Sequence, residues 1–287
     1  RSFNKNQFKL REHLERLYTG IKILQIPLKM TIDEMEEAVY ETIKKNDPAF
    51  SDDDEHRIMI DVSRGLLGIY QGIEETNKGP NVIIADFPLK WTVVGMGKLF
   101  DTGINAVITS QRAIPANLMD PKIKNRSRLF YLMANIEASN FAGENNWALL
   151  IDPDGFITEG TGDNFFIVKN NTIITPEPRN ILRGISREYI FNLAKELGLE
   201  YIEKNIDAFD VVTADEAFMT GTPFCMLPVT KLNGLNIGKG ERGPIFNKLL
   251  LKWSENVDVN IESQIKTWSS QIKLSKANTA TPYKFQS

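Results

Sequence analysis

The sequence contains very few cysteines and histidines. Its 287 residues include one cysteine, Cys225, and two histidines, His13 and His56. A single cysteine excludes an intramolecular disulfide, so a reducing, cytoplasmic location is expected. A Ser–His–Asp hydrolase or a histidine-rich metal site would need one of these histidines, and neither lies in a supporting motif. No metal site is therefore expected, and the chemistry should use lysine, carboxylates or a bound cofactor.

Strong net charge and long apolar runs are also lacking. A net charge of −3 creates no broad field that would attract nucleic acid or an anionic membrane surface. No apolar run approaches the ~18 residues of a membrane-spanning helix. Neither a nucleic acid nor a membrane is therefore an expected partner. The composition, 42% hydrophobic and 25% charged, is that of a globular protein with a substantial core.

The first part of the chain predicts two helices and three short strands. Apolar residues at helical spacing over 8–24 predict the first helix, and a capping box at Thr31 predicts the start of the second. Strands are predicted at 57–63, 81–87 and 105–110. The first residues lead directly into the first helix, so we expect the chain to begin inside a domain.

The segment 114–121 is the predicted linker because it contains two prolines and lies in a region with no clear period. It would separate a small N-terminal domain, 1–113, from a larger domain, 122–266, and a polar extension, 267–287, would follow. The larger domain is predicted to contain helices at 128–142 and 185–197, a hairpin around Asn170-Asn171 and a last helix at 243–253. Together these elements indicate an α+β fold.

Four motifs carry candidate functional groups, and each also has an ordinary structural explanation. Lys124 lies in a basic cluster of the kind usually found on a solvated surface, and Glu159 follows a strand, where a carboxylate is usually solvated. The segment 184–187 begins a helix whose N–H groups would suit a phosphate, although a capping serine without a ligand is more common. The Thr-Gly-Thr turn at 220–222 could bind an anion or be a plain turn.

The order and spacing of these motifs resemble the class IV, or fold type IV, pyridoxal-phosphate (PLP) enzymes. The resemblance extends from about Phe8 to about Trp253, and the stretch 159–198 is its most specific part. Its motifs follow in order from Arg16 through Lys124, thirteen residues before Glu137, to the turn at 220–222. The family includes branched-chain and D-amino acid aminotransferases, (R)-selective amine transaminases and aminodeoxychorismate lyase. The resemblance implies a two-domain α+β fold type IV enzyme that forms a homodimer.

The resemblance also implies a role for each matching residue. Lys124 corresponds to the lysine that forms an imine with pyridoxal 5′-phosphate and moves protons at the substrate carbon. Lys122, the competing lysine, has the wrong spacing to Glu137. Glu159 corresponds to the carboxylate that faces the pyridine nitrogen. The residues that correspond to the phosphate site are Arg16, Ile185, Ser186 and Thr222.

Three positions bear on the substrate. Arg64 resembles a family position near the substrate-binding wall. Pro223 stands where branched-chain aminotransferases use a backbone N–H to bind the substrate carboxylate, and proline has none. Arg128 replaces a tyrosine near the cofactor's phenolic oxygen. The family's opening strands should precede the helix with Arg16 and are missing, so we expect an N-terminally truncated piece.

The leading interpretation is a PLP-dependent aminotransferase that acts through Lys124. It would move an amino group between an amino acid, nominally branched-chain, and a 2-oxo acid. Within the family, the alternatives are an enzyme like aminodeoxychorismate lyase and a D-amino acid or (R)-amine transaminase. From a different class of protein, the alternative is a non-catalytic relic that binds PLP or an anion. A plain binding module without a cofactor ranks after it.

Overall fold

The structure is a computed structural model that describes residues 1–66, 69 and 79–271. The chain divides into two compact units, Arg1–Trp91 and Thr92–Ser287. The short helix that contains this division in the sequence spans Lys90–Val93. The predicted linker, 114–121, falls within the second unit, and the expected domain division at that linker stays a prediction.

The first unit packs two helices against a two-stranded antiparallel sheet. Its elements are β1 (Ser2–Phe3), β2 (Asn6–Gln7), α1 (Leu10–Ile23), α2 (Ile32–Asn46), a 3-10 turn (Asp47–Ala49), β3 (His56–Ser63) and β4 (Asn81–Pro88). Leu10 and Leu14 of α1 meet Met35 and Val39 of α2 in a buried cluster that also contacts β3 and β4. Both predicted helices are confirmed.

The start of α2 shows how the sequence determines a helix boundary. The Thr31 hydroxyl accepts from the Glu34 N–H at 3.2 Å, and the Glu34 carboxylate accepts from the Thr31 N–H at 2.7 Å. Both orphan donors are therefore satisfied, and the predicted capping box is confirmed. The prediction that the first residues lead directly into α1 is wrong, because β1 and β2 form a short antiparallel pair before it.

The second unit is a mixed sheet with helices around it. After α3 (Lys90–Val93), its helices are α4 (Leu99–Thr102), α5 (Leu129–Ser139), α6 (Ile185–Glu196), α7 (Ala208–Val212), α8 (Pro244–Asn256) and α9 (Ile261–Gln271), with a 3-10 turn at Val94–Met96. Its strands are β5 (Ile104–Arg112), β6 (Asn146–Ile151), β7 (Ile157–Gly160), β8 (Asn164–Lys169), β9 (Thr172–Thr175), β10 (Tyr201–Glu203), β11 (Glu216–Gly221), β12 (Cys225–Leu232) and β13 (Leu235–Asn236).

The sheet closes on itself at a single residue pair. Its strands run in the order β10-β9-β8-β11-β12-β5-β6-β7, and β7 also pairs back to β8 through Glu159 and Asn164. The strands from β8 around to β7 therefore form a ring. In the predicted hairpin between β8 and β9, Asn170 and Asn171 have φ values of 50° and 62°, which suit a tight hairpin turn. That hairpin is confirmed.

The end of the described chain departs from the sequence prediction. The helix at 243–253 was predicted to be the last one, and this is wrong because α9 follows α8. Trp268 of α9 is buried, so residues 267–271 belong to the packed unit and not to a polar extension. The rest of the predicted extension, 272–287, lies outside the described residues. No described helix has both the length and the apolar character needed to cross a membrane.

A buried carboxylate holds the start of α8. Glu216 of β11 is 5% exposed, and its two oxygens accept from the N–H groups of Ile245 and Phe246, each at 2.9 Å. The first N–H groups of a helix have no internal acceptor, and the positive end of the helix dipole favours an anion there. A Cβ on Gly243 would lie 2.0 Å from Cδ of Glu216, so this close approach requires glycine.

We expect Glu216→Ala to lower the free energy of unfolding by about 2–5 kcal/mol, because it leaves two buried N–H groups without an acceptor. Urea unfolding would measure this change. Replacing the exposed Glu241 by alanine is the control and should change stability by less than about 0.5 kcal/mol. An equal effect of both substitutions would contradict the capping role of Glu216.

Candidate active site

Glu159 lies at the centre of the candidate site, at the point where the sheet closes. It is 6% exposed and receives hydrogen bonds from three different elements. Tyr131 of α5 donates to its Oε1 at 2.9 Å. The Leu182 N–H, before α6, donates to Oε2 at 3.0 Å, and Asn164 Nδ2 of β8 donates to Oε2 at 3.1 Å. The carboxylate is therefore fixed in position by the fold.

The electrostatics of Glu159 favour a cationic ligand. Burial raises its pKa from the ordinary 4.5 to about 7, against the opposing effect of its hydrogen bonds and of the positive charges of Lys124 and Arg128. A carboxylate this deeply buried is stabilised in its ionised form by a neighbouring cation. The structure thus brings Lys124, Arg128 and Glu159 into one electrostatic group.

Asp163 is a second buried carboxylate beside Glu159, and it was missed by the sequence analysis. It is 9% exposed, and its pKa is raised to about 8, mainly by burial and then by repulsion from Glu159. Within the described residues its Oδ1 has no hydrogen-bond partner. The signal in the sequence was an acid four residues after Glu159, in a glycine-containing turn. Two acids in one buried site increase its need for positive charge.

The two candidate lysines have different surroundings. The Lys122 ammonium is 2.8 Å from Asp120 Oδ1 and donates to the Arg179 carbonyl at 3.4 Å. Lys124 has an exposed side chain, and its charge acts on Glu159. The charge of Lys124 thus reaches the buried carboxylate, while the choice of Lys124 over Lys122 and its chemical role stay predictions.

The N-terminus of α6 is attached to the same site through Asn164. Asn164 Nδ2 donates both to Glu159 and to the Leu182 carbonyl, the latter at 2.9 Å. A Cβ on Gly184 would lie 2.1 Å from Asn164 Oδ1, so glycine is needed there. No side chain in the described structure caps this helix, which leaves the N–H groups of its first turn, at Ile185 and Ser186, suited to an anion.

The turn between β11 and β12 lies on the other side of Asn164. Thr220 pairs with Asn164 across β11 and β8. Its Oγ1 is buried and has no hydrogen-bond partner in the described part of the chain, whereas Thr222 and Pro223 are half-buried. A buried hydroxyl without a partner is costly unless a ligand or water satisfies it. The Thr220 hydroxyl is therefore available to a ligand beside Asn164, while the role of the turn 220–222 in anion binding stays a prediction.

Arg16 and Arg64 lie in the first unit. Arg16 Nη2 is 3.4 Å from His13 Nδ1. Arg64 donates to the carbonyls of Leu24 and Gln25, at 3.0 and 2.7 Å, just after the end of α1. The predicted contribution of Arg16 to phosphate binding and of Arg64 to substrate binding therefore stays a prediction.

Arg187, the last residue of the 184–187 motif, has a structural role. It is buried, pairs with Glu203, donates to the Pro176 carbonyl at 2.9 Å and stacks over Phe191 at 5.0 Å from the ring centroid. These contacts hold α6 against the strands that flank it. The anion-binding capacity of this segment therefore belongs to its backbone N–H groups.

Residues 1–232 match the amino-transferase class IV family. The chain belongs to this family and is a PLP-dependent aminotransferase. It is 35% identical over 257 residues to a putative branched-chain-amino-acid aminotransferase of Methanocaldococcus jannaschii, and this match covers 89% of this chain and 84% of that protein. It is 33% identical over 244 residues to the branched-chain-amino-acid aminotransferase of Escherichia coli K12, covering 84% and 76% of the two chains.

Solved structures agree with the sequence comparisons. The crystal structure of the E. coli branched-chain amino acid aminotransferase superposes with a TM-score of 0.74 at 30% identity, over 84% of this chain and 77% of that one. The branched-chain aminotransferase of the thermophilic archaeon Thermoproteus uzoniensis, solved with norvaline, gives a TM-score of 0.72 at 28% identity, over 91% and 82%. The expected α+β fold of the fold type IV class is confirmed.

The residues of the site fit pyridoxal 5′-phosphate. A buried carboxylate that favours a cation suits the ring nitrogen, and an uncapped helix N-terminus beside the unpartnered Thr220 hydroxyl suits a phosphate. Asn164 connects both features, so one ligand with a basic ring and an anionic group could satisfy them together.

The two buried acids should make the ligand-free protein less stable as the pH rises. For an acid whose pKa is raised on folding, the stabilisation is complete below the unfolded pKa and is lost as the pH rises through the folded pKa. The stabilisation is therefore lost between pH 3.8 and about 8 for Asp163, and between pH 4.5 and about 7 for Glu159.

We therefore expect Asp163→Asn to flatten the decline in unfolding free energy between about pH 4 and pH 8, measured by urea unfolding of the ligand-free protein. The exposed Asp154 gives a matched Asp→Asn control, which should keep the wild-type slope. A wild-type slope in Asp163→Asn would show that this carboxyl does not titrate as the structure indicates.

Proposed function

We propose that Lys124 attaches the cofactor and that the enzyme moves amino groups between a branched-chain amino acid and a 2-oxo acid. The observation that carries the assignment is that the positive charge of Lys124 lowers the pKa of the buried Glu159. The substrate class is supported by the relatives named as branched-chain-amino-acid aminotransferases.

Pyridoxal 5′-phosphate, when bound, supplies an electron sink for the negative charge that develops at the substrate carbon. Glu159 would hold its ring nitrogen and keep it protonated. The phosphate would bind the N–H groups of Ile185 and Ser186 together with Thr222. Charge-assisted hydrogen bonds contribute about 1.5–3 kcal/mol each, so several of them would retain the cofactor while its bond to the lysine is exchanged.

Lys124 Nζ would also carry the proton that leaves and returns at the substrate carbon. The Lys124 side chain is exposed and its charge acts on Glu159, so its amine can reach an amino acid bound beside that carboxylate. The amine must be neutral to accept this proton.

The substrate contacts are proposed at Arg128 and Pro223. Arg128 donates to the Thr161 carbonyl, and its charge acts on Glu159, so it can offer a cation to a substrate carboxylate. Pro223 has no N–H, which leaves Thr222 as the donor in this part of the turn. These two residues set the substrate site of this chain apart from the branched-chain pattern, so the amino donor needs a direct test.

We further propose a homodimer in the cytoplasm. Leu129, Leu132 and Met133 of α5 are exposed apolar residues at i, i+3 and i+4, so they lie on one face of the helix. An exposed apolar face of this kind marks a protein interface, and most soluble oligomers are symmetric homodimers. The cytoplasmic location is supported by the single cysteine, Cys225, which is buried as a thiol.

Lys124→Ala should abolish the near-visible absorption band that the protein retains after mixing with pyridoxal 5′-phosphate and removal of the unbound cofactor, because the retained band requires the bond to the lysine. Lys122→Ala, two residues away, is the matched control and should retain the band. Persistence of the band in Lys124→Ala would show that another residue attaches the cofactor.

The amino donor is tested with the same band. L-Leucine should bleach it within one turnover as the amino group passes to the cofactor, and 2-oxoglutarate should restore it. Bleaching by D-alanine or an (R)-amine in place of L-leucine would move the enzyme to the other transaminase branch. A bound cofactor that no amine bleaches would favour the non-catalytic relic.

A further inference from the structure

The two oxygens of Glu159 differ in how much hydrogen-bonding capacity remains. Oε2 already accepts from Leu182 N–H and from Asn164 Nδ2. In the described structure Oε1 accepts from Tyr131 alone, at 2.9 Å. A carboxylate oxygen accepts about two hydrogen bonds, so Oε1 is the oxygen that can accept one more. An incoming N–H donor would therefore bind the oxygen that Tyr131 holds.

The position of the Tyr131 hydroxyl is set by the packing of its ring. The ring lies 4.1 Å, centroid to centroid, from Phe130, and the Arg128 guanidinium lies 5.0 Å from its centroid. Both rings pack against the buried cluster that α5 forms with β5 and β6, which includes Ala134 and Leu150. Because this core is tightly packed, the Tyr131 hydroxyl has a fixed position. The hydrogen bond therefore fixes the position of the Glu159 carboxylate.

The same hydrogen bond affects the charge of Glu159. Burial raises the pKa of this carboxyl to about 7, and the donation from Tyr131 is the largest of the effects that lower it. The charged groups that face Glu159 from the surrounding elements are Lys124, Arg128, Arg187 and Asp163. Tyr131 itself stays protonated, because burial and the negative Glu159 raise its own pKa, so it remains a donor.

We propose that Tyr131 is a positioning residue that aims Glu159 Oε1 at the ring nitrogen of the cofactor and keeps this carboxylate ionised at neutral pH. This inference rests on the proposed function, since it requires a protonated ring nitrogen as the partner of Glu159. Tyr131 acts through Glu159 and does not itself need to contact the ligand. None of the motifs in the sequence pointed to it.

The test uses pyridoxamine 5′-phosphate as the probe, because it binds without forming a bond to lysine. Its affinity is measured by fluorescence titration as a function of pH for the wild type and for Tyr131→Phe. We expect about tenfold weaker binding at pH 7, and the pH at which affinity falls on the acid side should move up by about one unit. Tyr189→Phe, which loses the part-buried hydrogen bond that the Tyr189 hydroxyl accepts from Asn256, is the matched control and should leave that pH unchanged.

Two results would overturn the proposal. A purely structural role predicts weaker binding by the same factor at every pH, with no movement of the midpoint. A role independent of Glu159 predicts that Tyr131→Phe weakens binding equally in a Glu159→Gln background, whereas the proposal predicts that the two effects are not additive.

The ligand-free protein separates this proposal from the proposed function. If the wild type binds no pyridoxamine 5′-phosphate at any pH, the cofactor assignment fails. The pairing of Tyr131 with Glu159 is then tested by urea unfolding without ligand. In Tyr131→Phe the stability contribution of Glu159 should be lost at a higher pH than in the wild type. An unchanged pH dependence there would refute the action of Tyr131 on Glu159.

Discussion

The pairing of Glu159 with Asn164 is the contact on which the rest of the site depends. It joins β7 to β8 and closes the sheet. The Asn164 side chain then binds the Glu159 carboxylate and the carbonyl before α6, and its Oδ1 lies where any side chain at Gly184 would have to go. Through its backbone Asn164 pairs with Thr220. One asparagine thus sets the relative positions of the carboxylate, the helix N-terminus and the threonine turn.

The second unit contains two buried carboxyl groups that do not favour folding. Glu159 and Asp163 are both buried, and burial raises the pKa of each. Two apolar side chains at these positions would give a more stable fold, since burying carboxylates is costly unless cations accompany them. The cost is consistent with a site that receives a cationic group, because the charges of Lys124 and Arg128 only partly offset the effect of burial on Glu159. Stability without a ligand is reduced in favour of binding.

Much of the fold could be predicted from the sequence because local patterns determine it. The spacing of apolar residues predicted α1 and α2, and the capping box predicted the start of α2. Asn170-Asn171 predicted the hairpin. The strands β1 and β2 were missed because two-residue strands have no period to detect, and α9 was missed because its polar residues concealed the buried Trp268.

The site was predictable only in part, for a related reason. Lys124, Glu159 and the turn at 220–222 stand in motifs whose order is informative. Tyr131 and Asp163 act through three-dimensional contacts, a hydrogen bond from α5 to β7 and a carboxylate turned into the core, and neither contact has a sequence signature. Residues such as Tyr131 and Asp163 are identified only from the hydrogen-bond donors and charges that surround a buried carboxylate in the structure.

The most direct test of the account is to locate the cofactor on the chain. The protein is mixed with pyridoxal 5′-phosphate, reduced with borohydride, digested, and its peptides are sequenced by mass spectrometry. The account predicts that the phosphopyridoxyl group is found on Lys124, with Lys122 in the same peptide unmodified. A label on Lys122, or on a lysine elsewhere in the chain, would contradict the central claim that Lys124 and Glu159 form one active site.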